Sequence, residues 1–473
     1  MSADLELCFA SATQVADWLA RGEVSSEQVV RNALDRIEET HAALNAFSHV
    51  DAEGAVRAAR ECDRQRAAWR SHHAPLGALH GLPISVKELI EVAGLPCRYG
   101  SRTMAQHVPA EDAPSVARVR RAGAVIVGMT NTSEFGFRGY TDNGVSGLTR
   151  NPWDLSRTPG GSSGGAASSV AAGATALALG TDGGGSIRNP SSFTGLVGIK
   201  PQFGRVPIYP ASATPTLAHV GPMARSAADA RLLLEVIAGS DLRDWTSMMP
   251  PLAADAAAGH SLGAGLKVAF AGSLGYGSVD PEVAAIVRAA VARLAAVCPV
   301  MDVSDSICEE EAELFLAEFI GGVHARLGPA VRDRADDLDP SLLKLLRQFE
   351  QMPATHYAAL LRRRLMHRER IRQFFERWDV LLTPMTPCAA WPVADRAPAG
   401  FESYRLWTFF GYPFNLTGQP AANLPCGYTA AGLPVGLQVV VGPCQENLLT
   451  DLLEQFEQAI DAPKRRPVLA AQV

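Results

Sequence analysis

Three side chains in this sequence have the type and setting for acyl-transfer chemistry: Ser162 in GGSSGG, Ser186 in DGGGSIR, and Lys87 in HGLPISVKELI. Both serines lie in TPGGSSGGAASSVAAGATALALGTDGGGSIRNP, residues 158–190. Glycine at that density marks backbone conformations closed to other residues, or close approach of the backbone to a reacting group. A flexible linker would also be rich in glycine and serine, but it would stay polar. Ala166 to Leu179 is instead rich in alanine and carries Val170, Leu177 and Leu179. GSSGG also fits the nucleophile-elbow pattern with Ser163 as the nucleophile, which requires a strand before it and Asp and His partners after it. The preceding DLSRTP, residues 154–159, reads as a polar turn, and no downstream histidine has a telling context. Lys87 taken alone reads as a surface lysine on a half-buried strand.

Acyl transfer from an unreactive carbonyl with a poor leaving group needs an activated nucleophile, a stabilised oxyanion and a proton for the departing group. A neutral lysine can serve as the base. Its ordinary pKa of about 10.4 keeps it charged at pH 7, and desolvation favours the neutral form. Ile84, Val86, Leu89 and Ile90 flank Lys87 with apolar surface, while Glu88 is a candidate opposing charge. Gly183, Gly184 and Gly185 have no side chains to obstruct a backbone whose N–H groups, with that of Ser186, converge on one point as an oxyanion hole. A phosphate cradle is the weaker reading of this loop, because no Gly-Lys-Ser/Thr follows it. Asp182 and Arg188 are read as holding the loop, and Ser163 as a supporting hydroxyl.

HGLPISVKELIEVAG, TPGGSSGG and GTDGGGSIRNPSSFTGLVGIKP, with 75 residues from Lys87 to Ser162 and 24 from Ser162 to Ser186, together resemble the amidase signature family of serine hydrolases. The resemblance runs from the N-terminal helices to about Phe456. It implies an α/β/α arrangement around a mixed sheet, a cis peptide before Ser162, and contacts from Lys87 to Ser162 and from Ser162 to Ser186. In that scheme Ser162 takes the proton of Ser186 and passes its own to Lys87, Ser186 attacks the carbonyl, and the proton returns through Ser162 to the leaving nitrogen. Water then hydrolyses the acyl enzyme.

The elements that must position these groups are legible along the chain. Ser11 with Gln14 and Ser25 with Gln28 fit capping boxes of N-terminal helices, Ala52 to Arg70 continues as a charged helix, and SVARVRRAG leads through a helix end at Gly123 into the buried strand AVIVGMT. Further strands are expected in GLVGIKP, LKVAF and DVLLTPMTP. Asp280 and Pro281 open a helix, residues 309–378 read as mostly helical, and ANLPCGY and GLQVVVG form a hairpin around Ala431-Gly432. Helix–strand alternation gives an α/β fold. No linker, repeat or low-complexity tract divides the 473 residues, so one domain is expected, with helices over 1–70 packed on a signature core at 80–205.

Hydrophobic residues make up 47% and charged ones 19%, with a net charge of −6, which suits a large folded core and disfavours nucleic acid as a partner. No signal sequence or apolar stretch of ~20 residues is present, so a membrane span is not expected. Eight scattered cysteines without CxxC read as reduced thiols of a cytoplasmic protein. No metal and no cofactor is expected: there is no HExxH, and the adjacent pair His72-His73 reads as a loop.

The expected partner is a small neutral amide, or a carbamate or ester, and the chain is expected to be a monomer or homodimer. Phe135, Phe137, Tyr140 and Phe193, near the motifs, are the candidate substrate-binding aromatics, although buried aromatics also simply fill space. A carboxylate-bearing substrate would need an arginine, for which Arg138 and Arg188 are the nearby candidates. Two other functions fit the same residues: the amidase component of a tRNA-dependent amidotransferase, and a non-catalytic binding or assembly protein that keeps the fold.

Overall fold

Short β-branched runs between glycines and prolines become the strands of one 11-stranded sheet. The computed structural model describes residues 2–72, 76–249, 252, 262–263, 265–303, 307–401 and 407–469. In chain order the strands are β1 (Phe47–Val50), β2 (Pro83–Lys87), β3 (Val125–Thr130), β4 (Leu177–Asp182), β5 (Val197–Lys200), β6 (His219–Ala224), β7 (Val268–Phe270), β8 (Val300–Asp302), β9 (Val380–Pro384), β10 (Ala421–Tyr428) and β11 (Pro434–Val441). Across the sheet they run β1-β3-β2-β4-β6-β5-β10-β11-β9-β7-β8. β2 lies parallel to both β3 and β4, and β7 to both β8 and β9, while the remaining pairs are antiparallel.

Both faces of this mixed sheet are covered, because successive side chains of a strand point to opposite sides. On β9, Val380 and Leu382 enter a core shared with Leu234, Val287 and Leu452 of three helices, whereas Leu381 between them enters another, with Phe315 and Val323 of the helix Ala312–Asp333. The architecture is α/β/α.

The local signals read from sequence correspond to observed elements. Both capping boxes form, at Ser11 and Ser25. Asp280 accepts hydrogen bonds from the N–H groups of Glu282 and Val283 at the start of the helix Pro281–Ala295. β10 and β11 pair as the expected hairpin. The charged helix spans Ala52–His72, so His72 closes a helix instead of lying in a loop, and His73 is outside the described residues. The small-residue segment between the two serine sites divides into a helix, Gly164–Ala171, and the central strand β4. Among the described residues no helix is long and apolar enough to cross a membrane.

The parallel triplet positions the chemistry. Val86 of β2 pairs with Leu179 of β4, so Lys87, the last residue of β2, emerges level with the end of β4 where Thr181 and Asp182 lie. Ligands of α/β sheets bind outside such carboxyl ends.

Candidate active site

Lys87 is fully buried, and its Nζ lies 2.7 Å from Ser162 Oγ, 2.9 Å from Ser163 Oγ and 2.8 Å from Thr181 Oγ1. Burial pushes its pKa well below the ordinary lysine value, against the pull of the Asp182 carboxylate. Glu88 does not oppose this shift: its Oε1 accepts from Arg98 Nε at 2.7 Å, so its charge is turned to another partner. The peptide Gly161–Ser162 is cis. A Cβ at Gly161 would sit 2.6 Å from the backbone N of Tyr140, so any larger residue would displace main chain.

Ser163 Oγ, besides meeting Lys87, donates to the carbonyl of Thr181 at 3.1 Å. Among the described residues no histidine meets Ser163 Oγ, which the elbow reading requires. His219, on β6, has its Nδ1 2.8 Å from the carbonyl of Leu217 and its Nε2 3.3 Å from Lys200 Nζ. Burial lowers the pKa of His219 well below the ordinary value. Lys200 is a second fully buried lysine, but it donates to the carbonyls of Gln419 and Pro201, not to either serine.

Asp182 and Arg188 form a buried ion pair, Arg188 Nε to Asp182 Oδ2 at 3.0 Å with both side chains fully covered. Asp182 also accepts from Asn415 Nδ2 at 2.9 Å and from the N–H groups of Gly185 and Ile187. Burial alone would raise its pKa, but the Arg188 charge and these hydrogen bonds hold it below the carboxylate range. Arg188 further reaches Gln438 Oε1, Asn415 Oδ1 and the carbonyl of Gly411, tying the loop to β11 and to the segment after Thr408. Removing one partner of such a pair leaves an uncompensated buried charge. Arg188→Met is therefore expected to lower stability by ~3–5 kcal/mol in urea unfolding, and wild-type stability in that variant would remove the pair's structural role.

The expected oxyanion donors need one correction. The Gly185 N–H donates to Asp182 Oδ1 at 2.7 Å and is not available; the turn that brings it there has φ +120° at Gly185, a conformation that favours glycine. The N–H groups of Gly183, Gly184 and Ser186 carry no hydrogen bond among the described residues.

Ser162, Ser186, Thr181 and Gly183 line a pocket of about 740 Å³, its open mouth included. Its walls are Leu89, Ile90, Tyr99 and Phe135 on one side, the segment 207–214 on another, and Phe319 from the helix Ala312–Asp333. Among the described residues, no arginine or lysine lines it. Ser186 Oγ makes no hydrogen bond among the described residues, where the only link between the two serine sites is the Ser163 N–H donating to the Ser186 carbonyl at 3.2 Å.

A model of the Amidase family matches residues 28–450. The chain belongs to the amidase signature family. Among the relatives of this amidase signature protein is a glutamyl-tRNA(Gln) amidotransferase subunit of Moorella thermoacetica, 36% identical over 490 residues that cover 98% of this chain and 99% of the relative. A bacterial aryl acylamidase of the amidase signature family superposes with a TM-score of 0.88 at 26% identity, covering 95% of this chain and 96% of its own. A 6-aminohexanoate cyclic dimer hydrolase gives 0.85 at 28%, covering 97% and 99%.

Of the four expected substrate-binding aromatics, Phe135 alone lines the pocket of this amidase signature site. Phe137 and Tyr140 instead hold the Arg138 guanidinium between them, 4.7 and 5.1 Å from their ring centres. Phe193 is fully buried against Trp391 and Trp407. Arg138 is ion-paired with Asp339, and Arg188 with Asp182. Thr181, missed in the sequence, sits inside the quoted GTDGGGS, where a hydroxyl one residue before the loop aspartate was its signal. Tyr99, Phe319 and the segment 207–214 had no local signal.

Proposed function

We propose that the protein hydrolyses the C–N bond of small neutral amides through an acyl enzyme. Ser186 attacks the carbonyl, Ser162 relays the proton and Lys87 is the neutral base. The observation that carries this reading is a fully buried lysine 2.7 Å from Ser162 Oγ beside a pocket lined by Ser186. With its pKa lowered, Lys87 offers a lone pair to the Ser162 hydroxyl, which frees the Ser162 oxygen to take the Ser186 proton. The N–H groups of Gly183, Gly184 and Ser186 are the donors left for the oxyanion, each such donor being worth ~3 kcal/mol in the transition state. On collapse the proton on Ser162 goes to the leaving nitrogen, and water completes the cycle.

The lining disfavours an anionic substrate. Without a basic side chain, a carboxylate on the substrate would lose its hydration unpaired. A neutral 4-nitroanilide should exceed a carboxylate-bearing amide such as a malonamate in kcat/KM by at least about tenfold, with a neutral aryl carbamate second to the anilide. A preference for the charged amide would contradict this.

A second reading, the amidase component of a tRNA-dependent amidotransferase, is favoured by the 36% identity to the Moorella thermoacetica amidotransferase protein over nearly the full length of both chains. The purified chain turning over anilides without ATP or partner chains supports the free-standing hydrolase. Activity only in the presence of such partners supports the amidotransferase component.

A further inference from the structure

The pocket that holds Ser186 has one charged residue in its lining among the described residues, Glu91, which lies four residues beyond Lys87 and is 6% exposed. Its Oε1 takes two contacts, Tyr99 Oη donating at 2.7 Å and His107 Nε2 at 2.8 Å. Its Oε2 has no hydrogen bond among the described residues. The Arg326 guanidinium packs 4.6 Å over the Tyr99 ring and forms no ion pair with Glu91 among the described residues. Ser115, 1% exposed, lines the same pocket, and its Oγ is buried without any partner among the described residues. The two segments are joined, since the Ala113 N–H donates to the Glu91 carbonyl at 2.9 Å.

Anchoring Tyr99 and His107 accounts for Oε1 of Glu91 and leaves Oε2 as the free acceptor of the one charged side chain in the pocket wall among the described residues. The Ser115 hydroxyl, by contrast, is covered and out of reach of a pocket ligand. An ionised carboxylate has acceptor sites only, so its complement is a donor.

We propose that Glu91 is a specificity-determining residue whose Oε2 accepts a hydrogen bond from an N–H group of the substrate, on an amine or a carboxamide remote from the bond that is cleaved. The inference rests on the amide-hydrolase reading above. It refines the substrate class from merely neutral and apolar to apolar with one N–H donor. A carboxylate would be repelled by Glu91, in line with the discrimination expected above.

The test uses 4-nitroanilides of matched acyl length ending in methyl, carboxamide, ammonium or carboxylate, at several lengths. At the best length, carboxamide or ammonium should raise kcat/KM over methyl by about tenfold or more, mainly through KM, and carboxylate should be poorest. Which of the two donors leads identifies the source of the N–H. Glu91→Gln, which keeps one oxygen for Tyr99 and His107 and puts an NH2 donor in place of the other, should cut the ratio of donor-ended to methyl-ended substrate about tenfold, whereas Ser115→Ala should leave the ratio unchanged. Equal loss on every substrate in Glu91→Gln, with the ratio unchanged, would make Glu91 structural and overturn the proposal, as would the absence of a preference in the wild type at any length. Stabilisation of the wild type by hexylammonium beyond 1-hexanol, read as a shift in Tm and lost in Glu91→Gln, needs no turnover. With that shift present and no anilide hydrolysed, the fault lies in the amide-hydrolase reading; with anilides hydrolysed and no donor preference, it lies in the role given to Glu91.

Discussion

Ser186→Ala should lower kcat for a neutral anilide by about four to six orders of magnitude, because the variant has no nucleophile to form the acyl enzyme. Folding should be unaffected: Ser186 Oγ makes no hydrogen bond among the described residues, and its removal strands no partner. Ser162→Ala should be less damaging, about 10²–10⁴-fold, the usual span for a lost general acid–base group, since Ser186 and the free N–H groups of the loop remain. Steady-state rates of the two variants, compared with Ser163→Ala, decide the order. Ser163 touches Lys87 and Thr181, so its loss should perturb the base and cost least of the three. Ser163→Ala as inactive as Ser186→Ala would favour the elbow reading instead.

For Lys87 the expectation is a pH profile and a substitution that agree. Burial disfavours the ammonium form, so the folded pKa lies well below the ordinary lysine value, and the active neutral form is populated above that folded pKa. Activity should therefore rise with pH through it and level off while a free lysine would still be charged. Lys87→Ala should lower kcat about 10²–10⁴-fold and remove that limb of the profile. Lys87→Arg stays charged at any accessible pH and should be no better. Circular dichroism and Tm of both variants separate loss of the base from loss of fold. A wild-type rate with arginine at 87 would take the residue out of the mechanism.

How much of this was legible in the sequence depends on how local each signal is. The capping boxes at Ser11 and Ser25, the Asp280-Pro281 helix start and the buried strand read at 124–130 depend on residues a few positions apart, and they appear in the structure, the strand over Val125–Thr130. The division of the alanine-rich segment into a helix and β4 was not read, although Gly173, left-handed at φ +79°, closes the helix between them. The proximity of Lys87 and Ser162 was reached through the family motifs, while the contact of Lys87 with Ser163 was not; Lys87 is brought there by the parallel pairing of β2 and β4, strands some ninety residues apart. The aromatics misled for a related reason. Phe193 is seven residues from Ser186 in sequence, but it is fully buried against Trp391 and Trp407, while the pocket wall comes from Tyr99 and Phe319, which are remote in sequence. Gly185 shows the same limit on a smaller scale: glycine density located the loop, but which N–H groups remain free depends on where the Asp182 carboxylate turns.

The most direct test of the assignment is peptide mapping by mass spectrometry of the wild-type protein inactivated with a fluorophosphonate. The expected adduct is one phosphonyl group on the peptide containing Ser186, formed faster as pH rises through the folded pKa of Lys87 and absent in Ser186→Ala. An adduct on Ser163, or labelling that persists at the same rate in Ser186→Ala, would contradict it.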